Sequence, residues 1–175
     1  MNVEALKVIL DRESENKYYN LISIYADKYL LTQKGQEAFN FLAERPDGSN
    51  FKLYELKGKV VFIDTWATWC APCIKERPKV LEIAKKFGYN PELEVIMISV
   101  DSSREKWLKF LGTNNESTVT NIFVKDGINR DFGKQFNINA IPNYILIDKQ
   151  GFIVHANIKE PNGEVEEMIS KELLR

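Results

Sequence analysis

Cysteine is scarce in this chain, two in 175 residues, and histidine scarcer, at one. Only two residues separate Cys70 from Cys73, so a bond between them closes almost no loop and stabilises little. The chain is therefore not a small domain stapled by disulfides. Structural zinc asks for four ligands; two cysteines and one distant His155 fall short, and no metal is expected. Charge of one sign is missing as well. The 24 basic and 25 acidic residues leave a net charge of −1, which excludes the electrostatic footprint of a nucleic-acid or anionic-membrane binder. No apolar run approaches the roughly 20 residues of a membrane helix. The start, Met1-Asn2-Val3-Glu4, lacks the basic and apolar regions of a signal peptide, so the chain is either cytosolic or a piece without its targeting segment. Repeats and low-complexity tracts are absent too. What remains is a chain with 44% hydrophobic residues, long enough for one domain with a sizeable core plus an extension.

The periodicity divides it at Gly35. Residues 1–34 read as a helical N-terminal extension. Val3, Leu6, Ile9 and Leu10 recur at helical spacing, as do Leu21, Ile22, Tyr25, Tyr29 and Leu30, with a polar break at 11–17. Tyr18, Tyr19 and Tyr25 read as packing residues. This segment would dock on the main domain, cover its site, or pair two copies of the chain. Residues 35–175 form the main domain. A short strand is expected over 39–43, then a turn at Arg45-Pro46-Asp47-Gly48-Ser49. The run 60–66 is apolar nearly throughout, as a central buried strand is. A helix follows over 75–87, with Val80, Ile83, Ala84 and Phe87 on one face, then a second central strand over 93–100. Ser102 or Ser103 caps a helix over 104–111, and 112–120 reads as a polar connection. A short strand at 122–124, a short helix at 129–136, a hairpin of 144–147 with 152–156, and a closing helix over 164–174 complete the order. Strand, helix, strand, helix, hairpin and helix predict an α/β fold, a mixed sheet with helices on both faces.

The two cysteines stand in Trp69-Cys70-Ala71-Pro72-Cys73, between the apolar run at 60–63 and the amphipathic stretch from Ile74. Two thiols so spaced at a strand-to-helix junction are placed for reversible disulfide chemistry. Cys70 falls at the helix start and Cys73 one turn on, on the same face and within bonding reach. Pro72 is tolerated because the first turn has no internal donor to lose. The helix N-terminus favours a thiolate, which makes Cys70 the nucleophile and Cys73 the resolving, more sheltered thiol. Asp64 is an acid inside an apolar strand. Burial without a partner would raise its pKa; the alternative is a solvated edge residue. Trp69 would form an exposed apolar rim that receives partners, Trp66 and Trp107 would be core, Pro78 would kink its helix, and His155 would be a surface residue.

The segment from Gly58 to Cys73, followed by Glu76 and Pro78, then Ile141-Pro142 before the hairpin and Asp148-Lys149-Gln150-Gly151 at its turn, resembles the thioredoxin superfamily. Within it, the pattern is similar to the TlpA/ResA-like thiol-disulfide oxidoreductases. The resemblance runs from about Gly35 to Leu174 and does not cover 1–34. It implies a thioredoxin-like mixed central sheet flanked by helices, with no cofactor beyond the redox-active pair Cys70 and Cys73. It also implies that Asp64 takes the proton of the resolving thiol. Glu76 would be a second proton acceptor or a specificity element, or else an ordinary surface glutamate. Pro142 would be cis, turning the chain so that Ile141 offers its backbone to a substrate strand beside Cys70; the alternative is a trans proline on a loop. Trp69, Ala71, Pro72, Ile141 and Pro142 would then meet the substrate. The partners are disulfides of other proteins and an upstream thiol electron donor. Ala71-Pro72 carries neither charge nor histidine, so the pair leans towards a reductant. Two other readings stand beside this one. One is an interaction or redox-sensing module. The other is a thiol peroxidase, which needs a threonine and a proline upstream of the attacking cysteine where this chain has Ala67 and Ile63. The resemblance implies a cell-envelope or periplasmic setting, with the cytoplasm as alternative.

Overall fold

The computed structural model describes residues 8, 12, 19–88, 90–114, 116–125 and 127–175. The helix expected over 3–10, the polar break at 11–17 and Tyr18 lie outside the described residues, apart from Val8 and Arg12, both helical.

The strand β3 (Val60–Trp66) is buried at every position. That is why its sequence does not alternate: it is covered on both faces and paired on both edges. It runs parallel to β4 (Leu93–Ser99) and antiparallel to β6 (Asn143–Ile147). With β1 (Leu42–Glu44), β2 (Asn50–Lys52), β5 (Thr120–Phe123) and β7 (Ile153–Ile158), they form one seven-stranded mixed sheet in the order β2-β1-β5-β4-β3-β6-β7. From β3 to β4 to β5 the chain steps in one direction through α2 (Ala71–Phe87) and α3 (Arg104–Asn114). Right-handed crossovers then place both helices on the same face. The contact of Arg77 on α2 with the Asn114 carbonyl on α3, at 2.8 Å, agrees. The closing helix α5 (Gly163–Leu173) joins that face, with Glu166 paired to Lys86 of α2. The opposite face carries α1 (Tyr19–Leu31) and the short α4 (Asp131–Gln135), which touch each other. There Phe41, Phe132 and Phe136 pack ring against ring. Among the described residues no helix is long and apolar enough to cross a membrane.

Several boundaries differ from expectation. The first strand is Leu42–Glu44 rather than 39–43, because the Arg45–Ser49 turn sets a hairpin register of Leu42 with Lys52, Ala43 with Phe51 and Glu44 with Asn50. Gly48 sits at φ +88° in that turn, a conformation that favours glycine. The polar connection at 112–120 starts later, since α3 continues through Gly112 to Asn114. There the side chains of Thr113 and Asn114 bond back to the Phe110 carbonyl. Of the two candidate caps, Ser103 accepts from the Lys106 N–H at 3.3 Å. Among the described side chains of α1 Ala26 is buried, whereas Tyr25 is 66% exposed and Tyr19 half-buried. The packing role expected of Tyr25 is thus not met, because its neighbour takes the inward position.

Candidate active site

Cys70 is the N-cap of α2, with extended backbone (φ −84°, ψ 93°), and Ala71 and Pro72 occupy the first helical positions. The fixed φ of proline suits that turn. Cys70 and Cys73 are joined in a disulfide with their Cα atoms 5.3 Å apart, and the Cys73 N–H donates to the Cys70 sulfur at 3.2 Å. In the oxidised pair the expected difference in shelter between Cys73 and Cys70 is small. Cys70 is 4% exposed and Cys73 3%. Around them Trp69 is 64% exposed, and Ala71 and Pro72 are exposed too. The Ile141-Pro142 peptide is cis and both residues are half-buried. Asn143 opens β6 opposite Thr65 of β3, so Ile141-Pro142 stands at the end of the sheet where β3 leads into Cys70. Trp66 and Trp107 are core, at 1% and 0% exposure. Pro78 lies within α2, where it removes one backbone hydrogen bond. His155 is exposed on β7.

The loop between β3 and Cys70 is tethered from behind. Asp101, just past β4, accepts from the Thr68 N–H at 3.0 Å, the Thr68 hydroxyl at 2.7 Å and the Ser99 hydroxyl at 2.8 Å. The Cys70 N–H closes the turn on the Ala67 carbonyl at 3.0 Å.

Asp64 is 2% exposed, so it is no edge residue. Its register partners are Met97 on β4 and Tyr144 on β6. These three share the face that α2 covers, since Arg77 touches Met97 and Glu76 touches Tyr144. Its Oδ1 is buried and accepts no hydrogen bond among the described residues. Burial pushes the Asp64 carboxyl up to about 8, with the Arg77 cation opposing and the Glu76 carboxylate reinforcing. At neutral pH it is therefore mostly protonated. Arg77 is itself buried. Its Nη1 meets the Met97 sulfur at 3.2 Å and its guanidinium lies over the rings of Trp66 and Phe110. Burial pulls its pKa below the usual value, yet a guanidinium stays charged in a protein. Glu76 is half-buried and accepts from the Tyr144 hydroxyl at 2.7 Å, while burial raises the phenol above its ordinary range. A surface groove of about 570 Å³ beside the disulfide is lined by Ala71, Pro72, Lys75, Glu76, Lys79 and Glu160. Among the described residues no cluster of His, Cys, Asp or Glu is arranged to hold a metal ion.

Arg77, Tyr144, Asp101 and Thr68 do not stand out in the sequence. Arg77 had a usable signal, being one helical turn beyond Cys73 on the same face. Asp101 had another, an acid ending an apolar strand.

The thioredoxin-like family model matches residues 58–153. The thioredoxin-like protein YneN of Bacillus subtilis is 31% identical over 137 residues, covering 77% of each chain. The thiol-disulfide oxidoreductase ResA of Bacillus anthracis is 32% identical over 153 residues, covering 80% of this chain and 78% of its own. A crystal structure from Bacteroides vulgatus, assigned as a thiol-disulfide oxidoreductase, superposes with a TM-score of 0.72 at 31% identity, over 81% of this chain and 97% of that one. With its CxxC disulfide at a helix start and a mixed sheet of this topology, the chain belongs to the thioredoxin superfamily, in its TlpA/ResA-like branch of thiol-disulfide oxidoreductases.

Proposed function

We propose that the chain reduces disulfides of partner proteins, with Cys70 as nucleophile, Cys73 as resolving thiol and Asp64 as proton acceptor. The observation that carries this reading is the placement of a buried, high-pKa carboxyl in the strand beneath α2, whose first turn holds the Cys70–Cys73 bond. In the reduced form the Cys70 thiolate attacks one sulfur of the partner's disulfide. The other partner sulfur leaves as a thiolate, and a mixed disulfide forms. The fraction of Asp64 that is ionised, a minority at neutral pH, takes the Cys73 proton. The Cys73 thiolate attacks the Cys70 sulfur and releases the second partner sulfur. Two electrons have then passed to the partner, and the Cys70–Cys73 bond is the product. An upstream thiol donor reverses this bond for the next turn.

Trp69, Ala71 and Pro72 form the rim on which the partner lands, and the backbone of Ile141, ahead of Pro142, pairs with its extended segment. The bond from Tyr144 favours a proton-handling role for Glu76 over that of a free surface glutamate. The neutral Ala71-Pro72 pair supports the reducing direction, and the family supports a cell-envelope setting. Residues 1–34 serve as an extension distinct from the 35–175 domain, through which two copies associate. Reduction of insulin by dithiothreitol tests the central reading. Cys70→Ser abolishes turnover, whereas Cys73→Ser, reduced and freed of dithiothreitol before insulin is added, accumulates a mixed disulfide that fresh dithiothreitol then releases. Turnover at the wild-type rate in Cys70→Ser would leave only a binding or sensing module.

A further inference from the structure

Tyr144 lies between two carboxyls. Its backbone is in register with Asp64 on the neighbouring strand, and its hydroxyl donates to Glu76 on the helix above. The side chain is 1% exposed, and its ring stacks on Phe62 at 5.9 Å with the planes 15° apart. Phe62 precedes Asp64 by two residues and so shares its face. The ring is thus fixed by the sheet, and its one polar atom is aimed at the helix. Glu76, by contrast, is half-buried at the edge of the groove that also holds Lys75, Lys79 and Glu160. A glutamate there has solvent within reach and two cations on its own helix to turn towards. The phenol keeps it turned inward instead. A buried phenol with a raised pKa stays protonated, so it remains a donor throughout the range in which Asp64 titrates.

We infer that Tyr144 is a positioning residue: its hydroxyl holds the Glu76 carboxylate beside Asp64, so that the charge on Glu76 governs when Asp64 releases its proton. This rests on the reading of Asp64 as the proton acceptor and adds a regulator to it. Among the described residues, the charged and titratable groups around the two carboxyls are Lys75, Arg77 and Lys79 from α2, Tyr144 from β6 and Glu160 from beyond β7; Glu116 in turn faces Arg77. Arg77 pulls Asp64 towards ionisation and Glu76 pushes against it. Holding Glu76 close adds to the effect of burial and raises the pH at which Asp64 ionises. Freeing Glu76 would make Asp64 ionise earlier.

The test is a carbon-13 NMR titration of the Asp64 carboxyl in the oxidised protein. It is run on wild type, Tyr144→Phe, Glu76→Gln and the double variant, with thermal melts as a check on folding. Tyr144→Phe keeps the ring and its stack on Phe62; Glu76→Gln keeps the acceptor and removes only the charge. Each single variant is expected to lower the Asp64 midpoint by about half a pH unit. In the Glu76→Gln background Tyr144→Phe should add nothing. An unmoved midpoint in folded Tyr144→Phe overturns the inference, and so does an equal displacement in both backgrounds. Failure of the underlying reading is seen separately, as full exchange activity in Asp64→Asn with the titration coupling intact.

Discussion

Asp101 holds Thr68 at two points, through the backbone N–H at 3.0 Å and the hydroxyl at 2.7 Å, from a position 33 residues further along the chain. Its carboxylate is 1% exposed and also takes the Ser99 hydroxyl. Thr68 lies two residues before Cys70, so this clamp fixes the loop that leads into the Cys70–Cys73 disulfide at the helix start. Charge-assisted bonds of this kind contribute about 1.5–3 kcal/mol each, and a buried donor left without its acceptor costs about 1–3 kcal/mol.

Asp101→Ala should therefore lower stability by about 2–4 kcal/mol and slow disulfide exchange, because Thr68 and Trp69 lose their fixed path. Thr68→Val removes only one bond and should cost about 1–2 kcal/mol, with a smaller loss of rate. Denaturant unfolding and insulin turnover measure the two effects side by side. If Asp101→Ala matched wild type in both, the clamp would have no part in positioning the site.

Asp64 makes stability depend on pH in the direction opposite to an ordinary paired carboxylate. Its folded pKa is raised to about 8 from an ordinary 3.8. Between those values the folded chain keeps the proton while the unfolded chain has released it. The folded state thus binds more protons, and stability falls as pH rises through the window, levelling off above about 8. A tenfold difference in proton affinity between the two states is worth about 1.4 kcal/mol, so the full effect is on the order of several kcal/mol. Asp64→Asn removes the titration. Its advantage over wild type should grow from about pH 4 to about pH 8 and then stay constant, while exchange slows because the proton of Cys73 has no acceptor. Melting temperature against pH reads the first effect and insulin turnover the second. A constant difference in melting temperature across that range would mean that Asp64 is charged in the folded protein.

Local patterns made part of this site legible in advance. The run 60–66 announced a central strand by its unbroken apolarity, Asp64 stood out as the acid within it, and the Cys70–Cys73 spacing at the following helix start named the chemistry. The cis peptide before Asn143 and the interest of Glu76 came from family resemblance rather than from spacing. The supporting groups were hidden because their partners are distant in the chain. Tyr144 and Glu76 are 68 residues apart, and Arg77 and Asn114 are 37 apart. Only the register of β6 against β3 and the stacking of α2 on α3 bring them together. A buried arginine is also hard to see in a sequence, since on composition alone it reads as a solvated helix face. Element ends were misplaced where side chains extended or set them, as Thr113 and Asn114 do for α3 and the Arg45–Ser49 turn does for β1.

The two sulfurs differ in what surrounds them, and this predicts an ordered reactivity in the reduced protein. Cys70 is the N-cap, where the Cys73 N–H donates to its sulfur at 3.2 Å and the Ala71 N–H opens the first turn of α2. Those donors stabilise a thiolate on Cys70, through a charge-assisted bond and the positive end of the helix. Cys73 lies inside the first turn and is buried. It has no comparable set of donors, and its anion would sit above the apolar row of β3. Dithiothreitol-reduced protein treated with iodoacetamide at pH 7 should therefore carry label on Cys70 first, at a rate at least about tenfold that of Cys73. Mass spectrometry of tryptic peptides over a time course measures both rates. Replacing Asp64 by Asn should leave the Cys70 rate nearly unchanged, since the helix tip rather than the strand acid prepares that sulfur. Equal labelling of the two cysteines would remove the distinction between attacking and resolving thiol, and with it the order of steps proposed for the exchange.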